Sequence, residues 1–357
     1  MREILGQLLD LLPHGPLALA RIVDRTGAGP RETGAAMAVT ADGQVLGSLS
    51  GGCVESTVLA TAGQVLRDGQ AGAERFAAAD DFGVGLPCGG EIEVFVERLD
   101  ATDLPQLTEL ARALATHTPI AYATTLESCP DRALIRSGRS APWRELDQDA
   151  AALLAAGHSG LIGAQECTPA QATRPRTFVQ VFRASARLIL AGANDYTRAL
   201  TVAAAQLGFH VTVVDARETF TTPARFPAAD AVVVDWPHRY LDAEQRAGRV
   251  DDRTVVCVLT HDPKFDVPLL ATALRLPALG FLGALGSRRA HADRTRRLRD
   301  LGCTPADLAR VHSPLGLDLA AHTPEETAVS ILAQILATRG GATARPLSAL
   351  DGPIHRR

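Results

Sequence analysis

One stretch constrains this 357-residue chain more than any other: "ARLILAGANDYTRALTVAAAQLGFHVTVVDAR", from Ala186 to Arg217. Leu188 to Ala191 is apolar without alternation and reads as a strand buried on both faces. A turn follows, then a helical pattern from about Arg198 to Leu207, then a second all-apolar strand ending at Asp215. Two fully buried strands joined through a helix make a parallel βαβ unit. "DAVVVDW" (Asp230 to Trp236), "DRTVVCVLTHD" (Asp252 to Asp262) and "LPALGFLGALGS" (Leu276 to Ser287) predict further buried strands, with helical patterns at Val267 to Leu274 and Ala290 to Leu301. This alternation predicts a Rossmann-like, doubly wound parallel sheet. A last helix is marked by Thr323 as N-cap, Pro324 at the first helical position, Glu326 completing a capping box, and glycines at 340 and 341.

Proline, threonine and arginine interrupt the apolar periodicity in "CTPAQATRPRTF" (Cys167 to Phe178). The division therefore falls near residue 184, giving a mixed α/β N-terminal domain over 1–183, the Rossmann-like domain over 184–341, and a flexible tail over 342–357. In the first domain, "MAVTADGQVLGSLS" predicts a hairpin turning at Asp42-Gly43. "VESTVLATAGQVL" predicts a helix with Val54, Val58, Leu59, Ala62, Val65 and Leu66 on one face, and "EIEVFVE" a strand with Ile92, Val94 and Val96 on one side. "TPIAYATTL" and "HSGLIGAQE" add further elements.

Composition excludes several function classes. Lys+Arg (36) nearly balances Asp+Glu (40), so neither nucleic acid nor an anionic membrane is the expected partner. No apolar run reaches the about 18 residues that a membrane span needs. "MREILGQLLDLLPHG" reads as an amphipathic helix and not a secretion signal, so a cytoplasmic location is expected. Six cysteines scattered over such a length make no disulfide framework and are expected as reduced thiols.

Two of those cysteines adjoin glycine pairs, in "GSLSGGCVES" and "LPCGGEIEVFVE". If a helix begins just after Cys53, its thiol lies near free backbone N–H groups and the positive end of the helix dipole, which favours thiolate. Gly51 and Gly52 would let the backbone turn and aim amides at an anion. Cys88, with Gly89 and Gly90, repeats the arrangement at the mouth of a strand. The residues alone equally allow a small buried cysteine beside a tight turn. In the second domain, Gly192 opens a turn in which Asn194 and Thr197 replace the later glycines of a dinucleotide fingerprint, while Asp215 stands where a ribose-binding acid belongs. Asp262 in "THDPKFD", and Ser287 and Arg288 in "GALGSRR", sit at predicted strand ends where ligands of parallel sheets gather, although such residues also simply cap turns.

Together, "GAGPRETGAAMAV…DGQVLGSLSGGCVES", "GLPCGGEIEVFVE", "LTHDPKFDVPLL", "LGALGSRRAHADR" and "HSPLGLDLAAHTPEETAVSILAQILA" resemble the xanthine dehydrogenase accessory protein family, XdhC/CoxI. The resemblance runs from about Gly27 to about Ala337. It implies a maturation factor that binds the molybdenum cofactor (molybdopterin), protects it during sulfuration, and delivers it to the apo-form of a xanthine dehydrogenase or CO dehydrogenase type hydroxylase. It further implies a cysteine desulfurase-type sulfur donor as partner. Since the chain lacks an enzyme's complete catalytic set, it is expected to act by contact with a hydroxylase subunit, as a homodimer. On this view Gly51, Gly52, Gly89 and Gly90 offer amides to the cofactor, and Cys53 and Cys88 offer thiolates on its molybdenum side. Family members often carry a fuller glycine turn where this chain has Gly192-Ala193-Asn194, which weakens an NAD(P) role. Two alternatives remain at this point: an NAD(P)-dependent oxidoreductase and a redox-sensing dithiol protein.

Overall fold

The computed structural model describes residues 1–27, 31–52, 54–77, 90–137, 143, 145–163 and 174–351. Two compact units divide between Ala184 and Ser185.

The first unit opens on α1 (Leu5–Leu11), flanked by 3-10 turns; Leu5 and Leu8 are buried, as the amphipathic pattern requires. Then come β1 (Leu17–Thr26), β2 (Ala36–Thr40), β3 (Val45–Gly47), α2 (Glu55–Asp68), β4 (Gly72–Phe76) and β5 (Glu91–Leu99). These strands form an antiparallel sheet in the order β3-β2-β1-β5-β4. The hairpin between β2 and β3 turns at Asp42-Gly43, where Gly43 takes φ +89°. Ala18, Ala20, Ile22, Ile92, Val94 and Val96 face α2 through Val54, Val58, Ala62 and Val65. Leu59, expected on that buried face, is 37% exposed. Successive helical residues turn by about 100°, and Leu59 falls that far round from Val58, outside the contact stripe.

The unit continues through α3 (Leu104–Ala115), β6 (Ile120–Thr125), β7 (Arg132–Arg136), α4 (Asp147–Ala156), β8 (Gly160–Ile162) and β9 (Thr177–Phe182). Its second antiparallel sheet has the order β7-β6-β9-β8. The other face of β1, through Leu17 and Leu19, shares a core with α1, α3 and Ile120, Tyr122 and Phe182 of this sheet. Buried within the unit, Arg21 bonds Glu97 (2.5 Å) and Thr124 (2.7 Å). Glu97 also accepts from Arg132 (2.7 Å), which reaches Asp103 (3.0 Å).

The second unit comprises β10 (Arg187–Ala191), α5 (Asp195–Gln206), β11 (His210–Asp215), β12 (Ala231–Val234), α6 (Pro237–Arg246), β13 (Val255–Val258), α7 (Pro263–Leu274), β14 (Phe281–Ala284), α8 (Arg288–Asp300), α9 (Pro305–Leu308) and α10 (Pro324–Arg339). All five strands are parallel, in the order β12-β11-β10-β13-β14. Leu188 and Leu190 pack toward α5 and α10, whereas Ile189 and Ala191 pack toward α6, α7 and α8. This is the doubly wound sheet that the apolar strands predict.

Two details differ from the sequence expectation. The strand of "DAVVVDW" is not fully buried: β12 is the sheet edge, and Val234 is 49% exposed. Helix α5 begins at Asp195 and not near Arg198, because Asn194 caps it. A 3-10 turn lies at Leu347–Ala349. Among the described residues, no helix is long and apolar enough to cross a membrane.

Candidate functional site

The loop between β3 and α2 carries the first candidate site. Gly51 and Gly52 adopt φ of +88° and +133°, conformations that turn successive amides toward one point. That point is occupied by the chain's own Glu55, the first residue of α2. Glu55 Oε1 accepts from the amides of Leu49 (3.1 Å), Ser50 (2.8 Å) and Gly51 (2.9 Å) and from the Ser48 hydroxyl (2.9 Å). Oε2 accepts from the amides of Gly52 (2.9 Å) and Val54 (3.2 Å) and from the Ser50 hydroxyl (2.5 Å). Burial disfavours the charge, but the bonds from Ser50, Ser48 and Gly51 outweigh it and hold this carboxyl far below the usual range. An external anion would reach the Gly51 and Gly52 amides only by displacing Glu55. Gly90 is buried immediately before β5. Cys53, Cys88 and Gly89, expected beside these amides, lie outside the described residues.

The second candidate site is at the carboxyl ends of β10, β11, β13 and β14. Gly192, at φ +118°, has no room for a Cβ, which would stand 2.8 Å from Thr260 Cγ2. Strand packing alone therefore requires this glycine. The Ala193 amide donates to Asp215 Oδ2 (2.8 Å). The two groups with which such turns commonly hold a dinucleotide, the amide after the first glycine and the acid ending the second strand, are thus bonded to each other. The Arg217 side chain adds bonds to Asp215 at 3.0 and 2.6 Å. Burial of Asp215 works against its charge; the Arg217 and Ala193 bonds overcome it and lower its pKa. Asn194 accepts from the Thr197 amide (3.0 Å) and donates to the Leu259 carbonyl (2.8 Å), pinning the helix start to the end of β13.

Asp262 and Ser287 serve as N-caps, accepting from the amides of Lys264 (3.0 Å) and Ala290 (3.2 Å) respectively. Arg288 is exposed at the start of α8. Ser287, Arg289, Asp293, Arg296 and Arg299 line an open cavity of about 800 Å³ beside it. Behind these caps, Asp266 and Arg294 form a buried pair at 2.7 Å, with Thr260 donating to Asp266 and Arg294 donating to the Leu285 carbonyl (2.6 Å). Burial raises the Asp266 pKa despite these partners.

Residues 188–335 match the description "XdhC Rossmann domain", and residues 11–77 match "XdhC and CoxI family". The chain belongs to the XdhC and CoxI family. Over 326 residues it is 29% identical to a Bacillus subtilis protein named a probable xanthine dehydrogenase subunit, covering 90% of this chain and 92% of that protein. It is 26% identical to the Escherichia coli "Molybdenum cofactor insertion chaperone PaoD", over 95% of this chain and 88% of the relative. A crystal structure described as a xanthine dehydrogenase from Bacillus halodurans matches with a TM-score of 0.68 at 25% identity, covering 95% of this chain and 97% of that one.

Within this XdhC-family chain, the sequence reading missed Glu55 and the Asp266–Arg294 pair. An acid in the first turn of a helix was the available signal for Glu55, since the helix dipole favours it there. Nothing local marks Arg294 as buried, because it stands in an arginine-rich helix whose other arginines are largely exposed.

Proposed function

We propose that this chain is a maturation factor for a molybdenum hydroxylase, which binds the molybdenum cofactor, shelters it during sulfuration and delivers it to the apo-enzyme. The observation that carries the reading is the likeness, over 95% of the chain, to a relative named a molybdenum cofactor insertion chaperone. A second full-length relative, whose name assigns it to xanthine dehydrogenase, supports a hydroxylase of that type as the receiving partner. The reading includes a cysteine desulfurase-type sulfur donor, a homodimer and a cytoplasmic location.

The cargo joins a phosphate, a dithiolene and a soft metal, so a carrier needs amides for the anion and sulfur near the metal. Cys53 and Cys88 supply the sulfur, and Gly89 and Gly90 supply amides. The amides of Gly51 and Gly52 shape the first loop, since Glu55 holds them. In the Rossmann unit, Gly192, Asn194 and Asp215 maintain the turn, which leaves NAD(P) no open grip there. Asp262, Ser287 and Arg288 remain the polar edge available to a ligand at the sheet's carboxyl ends.

Chain purified from cells that make the cofactor should carry molybdenum and the fluorescence of oxidised pterin in stoichiometric amounts. Cys53→Ser and Cys88→Ser should each reduce bound pterin at least about tenfold with little change in melting temperature, because serine keeps the volume and loses the soft donor. Stable variants that load cofactor as the parent does would end the case for these thiols.

A further inference from the structure

The first turn of α8 gathers donors that have no acceptor. Ser287 accepts from the Ala290 amide through Oγ (3.2 Å) and from the His291 amide through its carbonyl (2.9 Å). Among the described residues, the amides of Gly286, Ser287, Arg288 and Arg289 have no bonded acceptor. Gly286 has φ +142°, and the Cβ it lacks would stand 3.2 Å from Arg294 Nη1 and 3.3 Å from Ala290 Cβ. Arg294 is only 5% exposed; its Nε and Nη2 bond Asp266 and the Leu285 carbonyl, but Nη1 has no partner. A buried cationic donor thus points at the gap left by the glycine, where buried donors ordinarily meet an acceptor. The surface beyond is strongly basic. Helix α8 carries six arginines and two aspartates in 13 residues, although the chain's net charge is −4. Asp293, the carboxylate that lines the cavity, already accepts from Arg296 and Arg297. Arg289 and Arg299 are exposed and make no ion pair among the described residues. Residues 289, 292, 296 and 299 recur every three or four positions and form one stripe, in which Ala292 leaves room between the arginines. Helical side chains lean toward the helix N-terminus, so Arg296 leans toward the open amides.

We infer that this end of α8 binds the terminal phosphoryl group of a phosphorylated small molecule, held by the amides of residues 286–289 and by Arg294 Nη1, with Arg289 and Arg296 on its outer oxygens. A terminal phosphoryl group brings about two negative charges and three acceptor oxygens, which matches several converging amides beside arginines. The positive end of the helix dipole adds to the attraction. The cavity of about 800 Å³ leaves room for the organic remainder of the ligand. The site lies wholly in the Rossmann unit and does not depend on the cofactor reading. It is also separate from the closed Gly192 turn, on the other side of β13 in the strand order.

Calorimetry on the full chain, with inorganic pyrophosphate as the probe, tests the site. One equivalent should bind saturably with a Kd of about 0.1 mM or tighter. Arg289→Ala and Arg296→Ala, both at exposed positions, should each weaken binding at least about fivefold with little change in melting temperature. Arg246→Ala, exposed on α6, should leave it within about twofold of the parent. Arg294→Lys keeps the charge beside Asp266 and removes Nη1, so it should weaken binding as well; should that variant fail to fold, the two surface variants decide. ADP and glycerol 3-phosphate distinguish a nucleoside diphosphate from a phosphate monoester as the ligand, and binding of either supports the site. Three results overturn the inference: no saturable binding up to about 5 mM, losses under about twofold in both surface variants, or a triglutamate peptide bound as tightly as pyrophosphate. The last would make the arginine face a docking surface for an acidic protein. A chain that binds pyrophosphate and carries no molybdenum would defeat the functional reading and leave this site standing.

Discussion

Two polar side chains of the Rossmann turn show how residue chemistry decides what the turn can hold. Asn194 stands where a dinucleotide turn has glycine, and its side chain caps α5 and ties it to Leu259. Asn194→Ala should lower stability by about 1 kcal/mol, read as a shift in denaturation midpoint. Calorimetry with NAD should detect no micromolar binding to the parent chain, since the Ala193 amide and Asp215 satisfy each other. The same carboxylate sets a pH dependence. Asp215 has its pKa lowered in the folded state, burial being outweighed by Arg217 and the Ala193 amide. Its contribution is fully present above its unfolded value near about 4 and is lost as pH falls through the folded value. Asp215→Asn should therefore flatten the acid side of the stability profile, and an unchanged slope in melts taken down to about pH 3 would refute the assignment.

Element by element, the signals that proved legible are the local ones. Thr323, Pro324 and Glu326 announced α10, and the structure contains that capping box. Thr323→Ala should cost about 1 kcal/mol, with chemical denaturation as the measure. All-apolar runs announced β10, β11, β13 and β14, which are buried almost throughout. The similar run of β12 predicts a buried strand, but it lies at the sheet edge, because edge position depends on strand order, which composition does not encode. Val234→Lys should stay within about 0.5 kcal/mol of the parent, whereas Leu270→Ala in α7, fully buried against the sheet, should cost about 2–5 kcal/mol.

At the scale of the whole molecule, polar contacts between distant segments supplement the apolar cores. Arg21 is 76 residues from Glu97 and 103 from Thr124 in sequence, yet its guanidinium bonds both in the interior of the first unit. Glu97→Ala would leave Arg21 buried without its counter-charge and should destabilise by about 3–5 kcal/mol in urea unfolding; a loss under about 1 kcal/mol would show the pair to be dispensable. By itself the sequence determined the parallel sheet of the second unit, the hairpin at Asp42-Gly43, the capping box of α10 and the family, because strand burial, turn chemistry and capping are written within a few residues of one another. Only the tertiary structure decided that Glu55 occupies the amides offered by Gly51 and Gly52, that Asp215 closes the Gly192 turn, that Arg21 meets Glu97, and that β12 lies at an edge. Those outcomes depend on which atoms chain closure brings within about 3 Å, and a hydrogen-bonding group's partner is set by that geometry and not by its sequence neighbours.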